Sequence, residues 1–183
     1  MTKKITLGLI AIFAFSISAI AQDINWVTME EALELQKKEP KKIFMDVYTN
    51  WCGPCKMLDK NTFHNKDVAA YVNEHFYAVK FNAEGNEEIT YKDNTYTNPN
   101  YDASKANSRN GAHEFSRYLQ IKAYPTMVFF DEEGNVIAPI QGYLKPQQLE
   151  LYLKIFETDK YKEMTTQEQF SEYVKSFEAE FEE

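Results

Sequence analysis

The apolar positions of this chain change period along its length, and the changes mark out the elements. An apolar stretch, 5–20, follows Lys3 and Lys4. "TMEEALELQKK" then sets Ala32, Leu33 and Leu35 at helical positions, with Thr28 and Glu31 forming a capping box and Pro40 stopping the helix. "KIFMDVY", 42–48, is apolar nearly throughout and predicts a strand inside a sheet, with Asp46 within it. "CKMLDKNTF" and "NKDVAAYVNEHF" read as helices, Pro54 in the first turn of one and Asn65 capping the other. "YAVKFN", 77–82, is a strand. Residues 85–112 are rich in Asn, Tyr, Ser and Asp and show little period. "HEFSRYLQI" resumes a short helix. "TMVFFD", 126–131, and "VIAPIQGY", 136–143, make a hairpin about "EEGN", and Pro139 suits an edge strand, where no ladder donor is lost. "KPQQLELYLKIF" is a helix opened by Pro146. The last helix, "TTQEQFSEYVKSFEAEF", carries Phe170, Tyr173, Val174, Phe177 and Phe181 on one stripe. The alternating front half implies parallel strands, and the hairpin adds antiparallel ones.

A chain of 183 residues can bury one ordinary core, and an aromatic share of 15% argues against disorder. The N-terminus reads as a secretory signal, 1–21: a positive start, an apolar run and Ala19-Ile20-Ala21 as a small-x-small cleavage pattern. The run is short for a membrane span, so no stable membrane insertion is expected after cleavage. Removing Lys3 and Lys4 with the signal takes the 20 basic residues to 18 against 28 acidic, a formal charge of −10. That balance excludes a nucleic-acid partner, which needs a basic face, and leaves no polybasic patch for a membrane surface.

Both cysteines lie in "NWCGPCKM", 50–57. A structural zinc site needs four ligands; His64, His75 and His113 are the histidines present, and none has a paired spacing with another. A Cys52–Cys55 staple closes too short a loop to stabilise much. A catalytic dithiol fits better. Cys52 falls at a helix N-terminus, where free N–H groups and the helix dipole favour a thiolate and lower its pKa below the free value of ~8.5. Cys55 lies one turn on and is expected to be the more buried of the two. Asp46, if buried without a cation, should have a raised pKa. From the residues alone it is equally a hydrogen-bonded strand residue or a proton carrier.

Trp51-Cys52-Gly53-Pro54-Cys55-Lys56 resembles the active-site hexapeptide of thioredoxins. Asp46 stands where that family has a buried acid, Tyr124-Pro125-Thr126 matches its cis-proline loop, and Gly142 matches the glycine after its last strand. The likeness spans 26–156. It implies an α/β thioredoxin fold: a central mixed β-sheet flanked by helices, with an insertion after the strand at 77–82 and an extra C-terminal helix. The corresponding division is a thioredoxin-like domain at 22–157, an insertion at 85–112 and a helical extension at 158–183. "NTFHNKDVAAYVNEHFYAVKFN" is similar to the exported branch that includes the C-terminal domain of transmembrane disulfide reductases. Tyr48 replaces the aromatic Trp of the family.

The resemblance implies an exported, periplasmic, monomeric thiol:disulfide oxidoreductase. Cys52 attacks, Cys55 resolves and Asp46 carries a proton, while Trp51, Gly53, Pro54, Tyr124, Pro125 and Thr126 meet the substrate. Lys56 reads as a solvated helix charge. No cofactor or metal is implied beyond the Cys52–Cys55 pair. The partners implied are protein disulfides and an upstream electron donor, a membrane reductase. Gly-Pro between the cysteines resembles reducing members of the family, with potentials of roughly −270 mV. An oxidase or isomerase, and a redox-independent binding or chaperone-like module, are the rival readings. Because ligand sites of parallel α/β sheets gather beyond strand C-termini, the insertion is expected beside the thiols, with Tyr91, Tyr96 and Tyr101 offering contact area. The stripe of the last helix is expected to pack on its own domain.

Overall fold

In the computed structural model, residues 23–182 are described; the secretory-signal reading of 1–21 falls outside them. The chain runs β1 (Trp26–Val27), α1 (Met29–Gln36), β2 (Lys42–Tyr48), α2 (Gly53–Leu58), α3 (Lys66–His75), β3 (Phe76–Asn82), β4 (Ile89–Tyr91), β5 (Asn94–Tyr96), α4 (Glu114–Tyr118), β6 (Thr126–Phe130), β7 (Val136–Gln141), α5 (Pro146–Glu157) and α6 (Gln167–Ser176). The local signals act as the sequence predicts. Thr28 and Glu31 close the capping box of α1, and the Asn65 side chain accepts from Asp67 N and Val68 N at the start of α3.

Five strands form one mixed sheet in the order β1-β3-β2-β6-β7. β2 lies in the middle, parallel to β3 and antiparallel to β6, and β7, with Pro139, is an edge. Successive side chains of a strand point to opposite faces. Phe44 packs with Leu58, Phe63, Phe129 and Phe156 on one side, and Ile43, Met45 and Val47 with Phe81, Tyr91, Phe115 and Phe130 on the other. Asp46 has the parity of Phe44, so it faces the layer that holds α2.

Three elements differ from the sequence reading. The helix expected through Phe63 becomes a π-helical turn at Asp59–Phe63, a local widening of the kind often found at functional sites. It lets Asp59 pair with Lys80 of β3 and Thr62 Oγ1 donate to Leu144 O at 2.6 Å.

The insertion, read as aperiodic, contains the β4–β5 hairpin, turned by Lys92 and Asp93 at φ 48° and 61°. Two successive left-handed residues are what a tight hairpin needs to match the strand twist. Tyr91 is not rim surface. It is 1% exposed, its ring lies against Phe115 and Phe130, and its hydroxyl donates to Gly134 O at 2.7 Å. Tyr96 also packs on Phe115. The alternation Ile89-Thr90-Tyr91 sends the large residues inward, so this half of the insertion extends the core instead of offering contact area. Tyr101 is half-buried.

The last helix stops at Ser176, short of the stripe's end, and Val174 is exposed. Phe170, Tyr173, Phe177 and Phe181 nevertheless pack on the core of their own chain. The segment past α6 is held by Asp67, which accepts from Glu182 N at 2.8 Å, by Asn65, which donates to Glu182 O at 2.8 Å, and by one buried acid. Glu150 is fully buried, pairs with Lys154 at 2.7 Å, and accepts from Glu180 N and Phe181 N at 2.9 Å each. Glu150→Ala leaves the two amide donors without a partner, while Lys154 keeps Glu180, so it should lower stability by about 2–3 kcal/mol. The same change should speed amide exchange at Glu180 and Phe181; an unchanged urea midpoint with unchanged exchange would make the anchor incidental.

Candidate active site

β2 delivers the chain to the end of the sheet at Tyr48, and the next turn places Cys52 as the N-cap of α2. Pro54 sits in the first turn, where a missing N–H costs nothing. The two cysteines are joined, Sγ to Sγ, with Cα atoms 5.3 Å apart, and Cys55 N donates to Cys52 Sγ at 3.1 Å. This corrects one expectation. Cys55 is not the more buried residue: Cys52 is 2% exposed and Cys55 5%. Capping turns the Cys52 sulfur inward toward the helix, which explains its low exposure in the disulfide form. Gly53, Pro54 and Lys56 are the exposed residues of the motif, and a Cβ added at Gly53 would meet nothing within 4 Å.

Behind the disulfide lies a cleft of about 410 Å³ lined by Asp46, Cys55, Lys56, Asp59, Lys80 and Asn107, among others. Asp46 is 2% exposed, and its Oδ1 has no hydrogen-bond partner. Burial pushes its pKa up to about 7; the Lys80 cation opposes that rise and the Asp59 carboxylate adds to it. Asp46 and Cys55 both line this space, which has polar walls and is large enough to admit water.

The Tyr124–Pro125 peptide bond is cis. Tyr124 stands edge-on to Trp51, ring centroids 6.1 Å apart, so this loop and the motif share one end of the sheet. Gly142, at φ 100°, donates its N–H to Pro125 O at 2.9 Å; the positive φ is the reason glycine suits that position. Thr126 is fully buried and its hydroxyl donates to Ala123 O at 2.8 Å, so its side chain has no face for a substrate. Tyr124 is the half-exposed residue of the three.

Several neighbours of the motif come from positions that no pattern in the sequence marks. Glu84 Oε2 accepts from Trp51 Nε1 at 2.7 Å and from Asn110 N at 2.8 Å. Asn50 Nδ2 donates to Ala106 O at 2.8 Å. The Arg109 guanidinium lies over the Trp51 ring, 4.9 Å from its centroid. The returning limb of the insertion, 106–110, is thus docked on the two residues before Cys52. His113 is buried as the N-cap of α4, with Nδ1 accepting from Phe115 N and Nε2 facing Glu87 O at 2.7 Å. Among the described residues no group of His, Cys, Asp and Glu could hold a metal ion, and no helix is long and apolar enough to cross a membrane.

A cysteine pair closed as a disulfide at a helix N-terminus, backed by a buried acid and flanked by a cis-proline loop, defines a thioredoxin-type site. Residues 29–157 match the family described as a thioredoxin-like domain, and the chain belongs to that family. It is 25% identical over 121 residues to the thiol:disulfide interchange protein DsbD of Pectobacterium atrosepticum, an alignment covering 65% of this chain and 17% of the relative. The chain therefore spans only a small part of that relative's length. It is also 25% identical over 128 residues to a thioredoxin of Mycoplasmoides gallisepticum, covering 70% of this chain and 97% of the relative. In structure it is similar to a thioredoxin-fold protein from Helicobacter pylori, with a TM-score of 0.56 at 21% identity, covering 75% of this chain and 81% of the other.

Proposed function

We propose that this protein is an exported thiol:disulfide oxidoreductase that reduces protein disulfides. The observation that carries the reading is the placement of Cys55 and the unpartnered Asp46 carboxylate on one cleft, behind a Cys52 that caps α2. In the reduced state the Cys52 thiolate attacks one sulfur of a substrate disulfide. A new S–S bond forms, and the other substrate sulfur leaves as a thiolate. Cys55 gives its proton to Asp46 through the cleft and attacks Cys52 Sγ. The mixed disulfide breaks, Cys52–Cys55 closes, and the substrate, having gained two electrons, leaves as two thiolates that take their protons from Asp46 and solvent. The role of Cys52 as nucleophile rests on the helix cap, which stabilises its thiolate, and not on exposure.

Export is supported by the secretory pattern of 1–21 and by the likeness to DsbD. The electron donor fitting that setting is a membrane reductase, and the working form is a monomer in the periplasm. Direction is tested by equilibrating the protein with glutathione. A potential near roughly −270 mV supports the reductant, whereas one above about −180 mV would assign the protein to oxidation or isomerisation.

A further inference from the structure

The mechanism above makes no use of Arg109, yet Arg109 occupies a built position beside the thiols. Its guanidinium lies over the ring of Trp51, the residue immediately before Cys52, 4.9 Å from the centroid. The limb that carries it is fixed at several points. Asn50 holds Ala106 O, and Glu84 holds both the Trp51 indole N–H and Asn110 N. The Asn110 side chain accepts from Asp102 N and donates to Asp102 O, at 2.8 Å each. Glu84 is thereby engaged by two N–H donors. Arg109 itself is exposed, and among the described residues no carboxylate lies within 4.0 Å of its guanidinium. It is an exposed cation in a chain whose net charge is −8.

A guanidinium can take a carboxylate through two parallel N–H···O bonds, and one held over an aromatic ring loses less entropy in doing so than a free side chain. Lys56, exposed in the motif, lines the same cleft as Asn107, two residues before Arg109, and adds a second positive charge near it. We propose that Arg109 is a specificity-determining residue that selects acidic peptide segments, taking a carboxylate that flanks the target disulfide and disfavouring a lysine there. The proposal rests on the reductase reading and names the substrate class for it. It also accounts for the anchoring of the 106–110 limb, which holds this cation at a fixed place over Trp51.

The test uses three otherwise identical peptides whose disulfide is flanked by Glu, Gln or Lys, with hydroxyethyl disulfide as an uncharged small substrate. The wild type should show kcat/KM about five- to tenfold higher for the Glu peptide than for the Lys peptide at low salt, and raising the salt to about 0.5 M should collapse that ratio. Arg109→Gln should bring the ratio to near one and Arg109→Glu should invert it, while Arg109→Lys should keep part of it. A wild type that reduces hydroxyethyl disulfide but treats the three peptides alike overturns the role of Arg109 alone. So does a ratio that survives Arg109→Gln. A wild type inactive on every disulfide overturns the reductase reading, and this proposal with it.

Discussion

Asp46→Asn should make the oxidised protein more resistant to urea at pH 8.5 while slowing its reaction. The folded-state pKa of Asp46, about 7 against an ordinary 3.8, is raised by burial. A group whose pKa is raised on folding contributes its full stability below the unfolded value and loses it as pH climbs through the folded value. Ionised Asp46 therefore costs the fold up to about 4 kcal/mol above pH 7, since each pKa unit is worth 1.36 kcal/mol. Asparagine is close in shape and does not ionise. The variant's advantage should be near its maximum at pH 8.5 and shrink toward pH 4, giving a urea midpoint that is flatter with pH than the wild type's. Proton transfer is lost by the same change. Turnover on a protein disulfide should fall on the order of ten- to a hundredfold near neutrality, and the inflection near pH 7 should vanish from the rate profile. Equal stabilities at pH 8.5 with matching profiles would reduce Asp46 to a packed strand residue.

This opposition between stability and rate accounts for how much of the site was legible in the sequence. A carboxylate inside "KIFMDVY" conflicts with its surroundings, and a sequence breaks local consistency in this way chiefly where function requires it. The cysteines and Pro54 at the helix start were legible for a related reason: each residue type solves a local problem of backbone or charge that few others solve, whereas Gly142 was placed through the family resemblance and its φ of 100° gives the physical reason. The mixed sheet and its central strand followed from period and from run length.

What the sequence did not reveal depends on contacts between distant positions. Glu84 and Arg109 are ordinary surface residue types, and their meaning comes from Trp51, which they reach only once the insertion has folded back. The β4–β5 hairpin was missed because its turn is Lys-Asp and not a glycine pair, and because its strands are only three residues each. That error also misplaced Tyr91. The π-helical turn at 59–63 has no period of its own to read. The relative burial of Cys52 and Cys55 turned on where one sulfur points when it caps a helix, which spacing cannot specify.

The second large effect concerns the cysteines, because neither half of the exchange cycle closes without its thiol. Cys52→Ser and Cys55→Ser should each lower steady-state disulfide reduction by on the order of a thousandfold or more, since the two residues act as one unit and their losses do not add. Serine is small enough for both sites, and the disulfide closes only a short loop, so folding should survive. The variants then differ in what they leave behind. Cys55→Ser retains the attacking thiol at the N-cap of α2 but has nothing to release the product. Cys52→Ser retains a thiol behind the motif, on the cleft with Asp46. The direct measurement is to incubate each reduced variant with a disulfide-bonded protein, block free thiols, and resolve covalent adducts on a non-reducing gel. Cys55→Ser should accumulate a one-to-one adduct that dithiothreitol releases, and Cys52→Ser should accumulate none; adducts formed by Cys52→Ser and not by Cys55→Ser would contradict the assignment of Cys52 as the nucleophile.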